Sequence, residues 1–300
     1  MSYPTDLGGL PPQSALMTGR AIFTEAYAVI PKGVMRDIVT SPLPNWEKTR
    51  SWTIARPLSG FAETFAHLIM EVAPGGGSQK PEPDSMAEGV VFVVGGALRL
   101  TVEAGAAKAN LGFTASQSSG FDGIDTVMEA GGYAYLPAGC AWSLVNESNE
   151  PSTFHWIRKA YEAVDGIDPP KPFVTSDQEQ AINWMPDTEE RWGTTRFVEP
   201  DDLAHDMHVN IVTFEPGGTI PFEETHVMEH GLYVLEGKAV YKLNQDWVEV
   251  EAGDFMWLRA FCPQACYAGG PGRFRYLLYK DMNRLPRLTS PFGRPGSFLR

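Results

Sequence analysis

The stretch GGTIPFEETHVMEHGLYVLEG, residues 217–237, contains the side chains that decide how this chain folds and what it can bind. Glu224, His226 and His230 follow one another between glycines in a Glu-x-His-x3-His arrangement. Side chains two positions apart on a β-strand point to the same face, so we expect Glu224 and His226 to share one face. His230 follows far enough along the chain to reach back from the next strand. One carboxylate and two imidazoles that converge from neighbouring strands predict a divalent metal site.

Short apolar runs recur along the whole chain, and they predict an all-β fold. The 30 glycines and 24 prolines are spread between these runs and not gathered into one linker. Convincing amphipathic helices are scarce, and many short strands with turns between them are typical of a sandwich or barrel. The predicted strands are residues 67–73, 90–95, 97–104, 133–137 and 153–161, then 208–216, 231–237, 239–243, 247–258 and 273–280.

The two sets of predicted strands are copies of each other. Residues 74–96 align without a gap to residues 216–238. Farther along, Gly131 matches Gly253 at an offset that is shorter by 20 residues, which indicates an insertion within residues 108–127 of the first copy. An internal repeat of this length indicates a duplicated domain.

The repeat also predicts how the chain is divided. We expect an N-terminal extension that packs on the barrels, a first barrel, a linker, a second barrel that binds the metal, and a tail. In that order, the predicted segments are residues 1–60, 61–162, 163–190, 191–283 and 284–300.

Composition and charge exclude several classes of partner. The net charge of −13 argues against a nucleic acid or an anionic membrane surface as a partner. The first 20 residues contain no apolar core of a signal peptide, and no apolar run approaches membrane-spanning length. Cys140, Cys262 and Cys266 lack CxxC spacing and are predicted to be reduced thiols. The thiols indicate a cytoplasmic protein, and we also expect a homo-oligomer that acts on a small molecule.

The spacing of the three candidate ligands resembles the two-motif signature of the cupin superfamily. That signature reads Gly-x5-His-x-His-x3/4-Glu-x6-Gly, followed by Gly-x5-Pro-x-Gly-x2-His-x3-Asn. Here Gly218 and Gly237 bound the first motif, and Gly253 begins the second. The resemblance implies a jelly-roll β-barrel with a metal inside. Because the chain contains two copies, it implies a bicupin.

The departures from the cupin signature fall on the ligand positions. Glu224 lies where cupins have the first His, and His230 lies where they have Glu. Gln264 takes the place of the last His, so the fourth ligand is an amide oxygen, which is harder than imidazole. This donor set favours Mn²⁺ over Zn²⁺ or Cu²⁺. The predicted ligands of one Mn²⁺ per chain are Glu224, His226, His230 and Gln264.

The permuted ligand set, within EETHVMEHGLYVLEGKAVYKL, is similar to that of the (S)-ureidoglycine aminohydrolase family. The resemblance includes residues 28–65, the PGGGS…PEP stretch of the first copy and residues 277–284, so it covers most of the chain. It implies a manganese-dependent hydrolase of a non-peptide C–N bond. Such an enzyme removes ammonia from ureidoglycine and gives ureidoglycolate in purine and allantoin catabolism.

Candidate substrate residues lie on the last predicted strand. Tyr276, Leu278 and Lys280 share one strand face, and a lysine beside two apolar residues is better explained if that face lines a polar cavity. The family resemblance implies that Tyr276, Lys280 and Tyr241 contact substrate, and Glu224 is predicted to do so as well. Lys280 is the predicted catalytic acid/base.

The first copy carries different residues at the ligand positions, namely Glu82, Asp84, Glu88 and Trp142. Three carboxylates could hold Ca²⁺ or Mg²⁺, but a tryptophan cannot ligate and would fill the cavity. We therefore expect a metal-free structural barrel. The histidines outside the motif, predicted to be structural or exposed, are His67, His155, His205 and His208.

Two other functions stay open from the residues alone. Two histidines and one carboxylate are also the ligand set of non-haem iron oxygenases. A non-enzymatic bicupin that binds a small ligand is the second alternative, and a lysine in the cavity favours an enzyme over it.

Overall fold

A computed structural model describes residues 20–32, 41–104, 121–281 and 284 of the chain. Within these ranges the regular structure is β-strand, without an α-helix. The strands of the first part are β1 (Ile22–Phe23), β2 (Tyr27–Ile30), β3 (Glu47–Ala55), β4 (Phe65–Ser78), β5 (Ala87–Gly95), β6 (Ala97–Val102), β7 (Ile124–Glu129), β8 (Gly132–Leu136), β9 (Trp142–Val145) and β10 (Ser152–Ala160).

The strands of the second part follow a similar order. They are β11 (Phe173–Ser176), β12 (Ile182–Trp184), β13 (Trp192–Thr195), β14 (Met207–Phe214), β15 (Thr219–Glu224), β16 (His230–Glu236), β17 (Lys238–Leu243), β18 (Asp246–Glu251), β19 (Phe255–Leu258), β20 (Gln264–Tyr267) and β21 (Phe274–Asp281).

Each predicted run contains a strand, and the all-β prediction is confirmed. Residues 247–258 differ from the prediction because they form two strands, β18 and β19. Gly253 lies in the turn between them at φ +93°, a backbone conformation that glycine adopts without steric cost. None of the described segments forms a helix that is long and apolar enough to cross a membrane.

The first barrel is one antiparallel sheet. Its strand order is β11-β8-β5-β10-β4-β9-β6-β7, and β3 pairs with β4 at the side of this path. The sheet curls until β7 approaches β5 and β8. The long strand β4 connects the two sides of this curled sheet, because it pairs with β3 and β10 over most of its length and with β9 at its end.

The second barrel is built from two sheets. The larger has the order β1-β2-β19-β16-β21-β14-β13-β12, and the smaller has the order β15-β20-β17-β18. Strands β1 and β2, from the predicted N-terminal extension, join the edge of the larger sheet beside β19. The extension thus supplies strands to the barrel that follows it much later in the chain.

Three apolar clusters form the core of the two barrels and of the interface between them. One fills the second barrel and includes Leu232, Val234 and Phe274, and another fills the first. The third lies between the barrels, where Phe65 of β4 stacks on Tyr279 of β21 with ring centroids 3.9 Å apart. The two barrels are therefore packed through a buried aromatic interface and not merely joined by a linker.

The predicted segment boundaries remain predictions. Residues 163–190 contain β11, which pairs with β8, and β12, which pairs with β13. Most of the predicted insertion within residues 108–127, and all of the predicted tail except Arg284, lie outside the described residues.

Candidate functional site

The candidate site lies inside the second barrel, on one wall made by β14, β16 and β21. His208 of β14 and His230 of β16 both have Lys280 of β21 as their Cα partner. Side chains along these strands alternate between the barrel interior and the interface with the first barrel. Tyr276 and Leu278 belong to the interior cluster, so Lys280 faces the interior as well. These three basic residues form a row across neighbouring strands.

Glu224 approaches from the smaller sheet. It ends β15 and is the Cα partner of Gln264, which begins β20. Its neighbour Glu223 is exposed and forms an ion pair with Lys242 on the outer face. Because adjacent strand residues alternate, Glu224 is turned inward, where it is half-buried.

The structure differs from the prediction for His226. Strand β15 ends at Glu224 and β16 begins at His230, so His226 lies in the intervening loop and not on the strand of Glu224. The expectation that Glu224 and His226 share one strand face is therefore wrong. The physical reason is that the backbone of this loop bonds elsewhere: the N–H of Phe261 donates to the carbonyl of His226 at 2.7 Å, and the Thr225 hydroxyl donates to the carbonyl of Phe261.

His226 and His230 nevertheless meet inside the barrel. Their ring centroids are 4.5 Å apart. The Nδ1 atom of His226 and the Nε2 atom of His230 are buried and have no hydrogen-bond partner among the described residues. The Gln264 amide nitrogen lies 3.2 Å from Nδ1 of His230. Buried polar atoms are almost always hydrogen-bonded in native proteins, so two unpartnered ring nitrogens indicate a place for a ligand or ion.

Electrostatics keep both rings in the form that can ligate. Burial lowers the pKa of His230 well below its ordinary value, and His226 and Lys280 add to the effect. Burial and then Lys280 lower the pKa of His226. Both rings are therefore neutral at pH 7 and retain a lone pair. Burial raises the pKa of Glu224 against the opposing charge of Lys280, whereas burial and Arg196 lower the pKa of Lys280.

The residues present fit a divalent metal by their chemistry. No three of the His, Cys, Asp and Glu side chains in the described ranges converge as a metal cluster, so Glu224 does not close a set with the two histidines. The paired imidazoles with unpartnered nitrogens, the carboxylate and the Gln264 amide nevertheless supply the mixed nitrogen and oxygen donors that such ions accept.

Two tyrosines lie deeper in the same interior. The hydroxyls of Tyr241 and Tyr276 are 2.9 Å apart, and both rings are buried. Burial raises the pKa of both phenols well above the ordinary value, with the nearby charge of Glu224 as a smaller contribution. Both hydroxyls are therefore neutral, and because one donates to the other, the pair has one O–H free to donate a hydrogen bond to a ligand. The structure brings all the predicted site residues to one barrel interior. The Glu224 carboxylate, however, does not converge with the two histidines as a metal cluster.

Two polar residues of β14 were missed by the sequence reasoning. His208, predicted to be structural or exposed, is buried in the wall beside Lys280. Asn210 follows on the same face, and its Cα partner is Leu278. The alternation of HVNIVTF contained this signal, because His208 and Asn210 share a face with the interior residue Val212.

A third missed residue holds the ligand loop in place. Glu229 precedes His230, is buried, and accepts hydrogen bonds from the backbone N–H groups of Glu63 and Thr64 at 2.6 and 3.0 Å. It also accepts from the Thr64 hydroxyl and from Nε1 of Trp257, the latter at 2.6 Å. Glu63 and Thr64 precede β4 of the first barrel. The loop that carries His226 is therefore fastened to the other barrel.

At the corresponding positions of the first barrel, the side chains bond to or pack against other residues of the same barrel. The carboxylate of Glu82 is paired with Arg158. Glu88 is buried and accepts a hydrogen bond from the Tyr135 hydroxyl at 2.6 Å. Trp142 is buried in the apolar interior. These contacts engage the carboxylates of Glu82 and Glu88 within the protein, and the metal-free first barrel stays a prediction.

Comparisons with known proteins agree with the resemblance in the sequence. Residues 210–279 match the family model described as "Cupin domain". The chain is 31% identical over 268 residues to the (S)-ureidoglycine aminohydrolase of Arabidopsis thaliana, an alignment that covers 89% of this chain and 79% of the relative.

Solved structures share the architecture. A structure from Pseudomonas aeruginosa named "Putative Glyoxylate Induced Protein" is 62% identical, with a TM-score of 0.82 and coverage of 97% of this chain and 99% of that chain. An oxalate decarboxylase from Bacillus subtilis, 12% identical, has a TM-score of 0.61 and covers 90% of this chain and 81% of that chain; it supports the fold alone. The prediction of a duplicated cupin is confirmed.

Proposed function

The chain belongs to the (S)-ureidoglycine aminohydrolase family of cupins, and we propose that it is a metal-dependent hydrolase of a non-peptide C–N bond. In this proposal it releases ammonia from (S)-ureidoglycine and gives (S)-ureidoglycolate. A role in purine and allantoin catabolism and a cytoplasmic location belong to the same proposal. The three cysteines are free, which agrees with a reducing compartment. Assembly as a homo-oligomer remains a prediction.

The observation that carries the proposal is the pair of unpartnered ring nitrogens of His226 and His230, beside a lysine and two tyrosines in one barrel interior. Glu224, His226, His230 and Gln264 are the residues that would hold the metal. Two oxygen donors beside two imidazoles favour Mn²⁺. When bound, the ion supplies Lewis-acid polarisation and fixes the orientation of the substrate.

The reaction is an elimination followed by addition of water. Cleavage of the C–N bond sends the bonding electron pair to the amine nitrogen, and loss of the ureido N–H proton leaves an acylimine. The oxygen of water then bonds to the α-carbon, while a water proton returns to the ureido nitrogen. Two proton transfers are therefore required, one from the ureido nitrogen to the leaving amine and one from water to the ureido nitrogen.

Lys280 is the proposed acid/base for these transfers. Its pKa is lowered by burial and by Arg196, which brings the ammonium closer to the range in which it can both donate and accept a proton at physiological pH. The hydroxyl pair of Tyr241 and Tyr276 is proposed to donate one hydrogen bond to a substrate oxygen, because both phenols are neutral and one O–H stays free while the other bonds within the pair.

The test uses freshly generated ureidoglycine and measures ammonia. We expect release by the purified enzyme, loss after chelation and recovery with Mn²⁺. Glu224→Ala should lose activity and bound metal, whereas Glu223→Ala should retain both, since Glu223 faces outward. Full activity in the metal-free protein would refute the proposal. Equal rates with and without oxygen are expected from a hydrolase, and dependence on oxygen would favour the oxygenase alternative.

A further inference from the structure

The wall of the site contains two polar groups that the reaction described above does not use. His208 and Asn210 are 2% and 4% exposed. The Nε2 atom of His208 and the Oδ1 atom of Asn210 are buried without a hydrogen-bond partner among the described residues. Polar atoms in such positions are costly unless something bonds to them. Both atoms belong to the interior face of β14 and therefore face the same space as the candidate ligands.

The strand register fixes where these groups lie. His208 is level with Lys280, and Asn210 is level with Leu278, one step nearer to Tyr276. The next residue on the same face is Val212, whose Cα partner is Tyr276. The two polar groups therefore lie along the wall between the lysine and the tyrosine pair, and apolar residues close the barrel beyond them.

The charged groups around this wall and its neutral polar groups suit different parts of a ligand. Arg196 directly follows β13, is half-buried and makes no hydrogen bond or ion pair with any residue that the structure describes. It lies near enough to Lys280 and His208 to interact electrostatically with both. Two cations suit a carboxylate. The amide oxygen of an asparagine is a poor partner for a carboxylate, because a carboxylate has no hydrogen to donate to it.

A carbamoyl group is complementary to the pair on β14. Its terminal NH2 can donate to an amide oxygen, and its carbonyl oxygen can accept from an imidazole N–H. We propose that Asn210 and His208 form the subsite for the ureido group, in which Asn210 Oδ1 accepts from the terminal NH2 and His208 Nε2–H donates to the carbonyl oxygen. Arg196 and Lys280 then face the carboxylate. This inference rests on the proposed function and assigns the substrate's ureido end to β14.

The test compares two stable ligands on the Mn²⁺-loaded enzyme. N-carbamoylglycine carries a carboxylate and a ureido group, and N-acetylglycine replaces the terminal NH2 by a methyl group. Calorimetry or competitive inhibition gives the affinity of each. We expect wild type to prefer N-carbamoylglycine by at least about 10-fold, because a site built to bond an N–H rejects the analogue that lacks it.

The variants separate the two proposed contacts. Asn210→Leu should abolish the preference, with the affinity for N-acetylglycine and the metal content unchanged. His208→Ala should weaken both ligands alike, because both contain the carbonyl oxygen. Thr213→Val is the matched control: it removes another buried, unpartnered oxygen from β14, but on the opposite strand face, and should keep the preference.

Several results would overturn the subsite. These are a preference that survives Asn210→Leu, an equal loss of both ligands in that variant, or a wild-type enzyme that binds neither ligand or does not distinguish them. Failure of the proposed function is a separate result, because it would appear as absence of ammonia release from ureidoglycine. The binding preference can hold or fail independently of that outcome.

Discussion

Glu229→Gln changes one atom of the contact that fastens the ligand loop to the first barrel. The Oε1 atom of Glu229 accepts from the Glu63 N–H and from Trp257 Nε1, and Oε2 accepts from the N–H and the hydroxyl of Thr64. The glutamine amide retains a single acceptor oxygen. Whichever way it is turned, its NH2 group faces a backbone N–H that loses its acceptor.

The magnitude follows from these contacts. Hydrogen bonds to a charged acceptor contribute about 1.5–3 kcal/mol each, and a buried donor left without a partner adds a desolvation cost. Since at least one backbone N–H of Glu63 or Thr64 is affected, we expect Glu229→Gln to lower the free energy of unfolding by about 2–4 kcal/mol. That corresponds to a fall in Tm of roughly 3–6 °C for a chain of 300 residues.

Because Glu229 adjoins His230 and ends the loop that carries His226, the loosened loop should also bind metal more weakly, by about 10-fold or more. Thermal unfolding and metal titration measure the two effects. Glu223→Gln is the control, since an exposed ion pair contributes about 1 kcal/mol or less. If Glu229→Gln and Glu223→Gln have the same Tm and the same metal affinity, Glu229 does not hold the ligand loop in place.

Two more predictions address the two barrels separately. Lys280→Met should lower kcat by about 10²–10⁴-fold with bound metal retained; a variant with normal kcat would remove Lys280 from the proton transfers. Burial raises the pKa of Glu88 from 4.5 to about 8, so its contribution to stability is complete below pH 4.5 and is lost as the pH rises through 8. Between pH 5 and pH 8, wild type should therefore lose about 3 kcal/mol more unfolding free energy than Glu88→Gln, and parallel stability curves from chemical denaturation would contradict this.

The strands and the duplication could be predicted because both are encoded locally. Alternating apolar residues and the glycines between them mark a strand wherever it lies, and Gly131 matches Gly253 once the 20-residue insertion in the first copy is allowed for. The inward direction of Glu224 rather than Glu223 followed from the same alternation.

Contacts between distant parts of the chain could not be predicted in this way. The end of β15 at Glu224 depends on bonds from the following loop to Phe261, which follows it by many residues. The pairing of β2 with β19 joins Tyr27 to Leu258. No local pattern in either segment specifies such a partner, because strand pairing at long range is decided by tertiary packing.

The missed site residues show the same limit. His208 and Asn210 become candidate site residues only through their position beside β21, where their Cα partners are Lys280 and Leu278. In the sequence, Glu229 is only one of several charged residues in an acidic stretch. Its role becomes visible in the fold, where the backbone N–H of Thr64 donates to it. A pattern can say which face a residue occupies, but the neighbouring strand determines whether that face is a core, an interface or a site.

We propose that the second barrel, and not the first, holds the catalytic manganese. Anomalous diffraction above the manganese absorption edge, from crystals of the Mn²⁺-loaded protein, locates the ion in one barrel or the other. We expect one peak per chain, bound by the ring nitrogens of His226 and His230 with oxygen atoms of Glu224 and Gln264. A peak beside Glu82 and Glu88 in the first barrel, or none at the two histidines, would contradict this proposal.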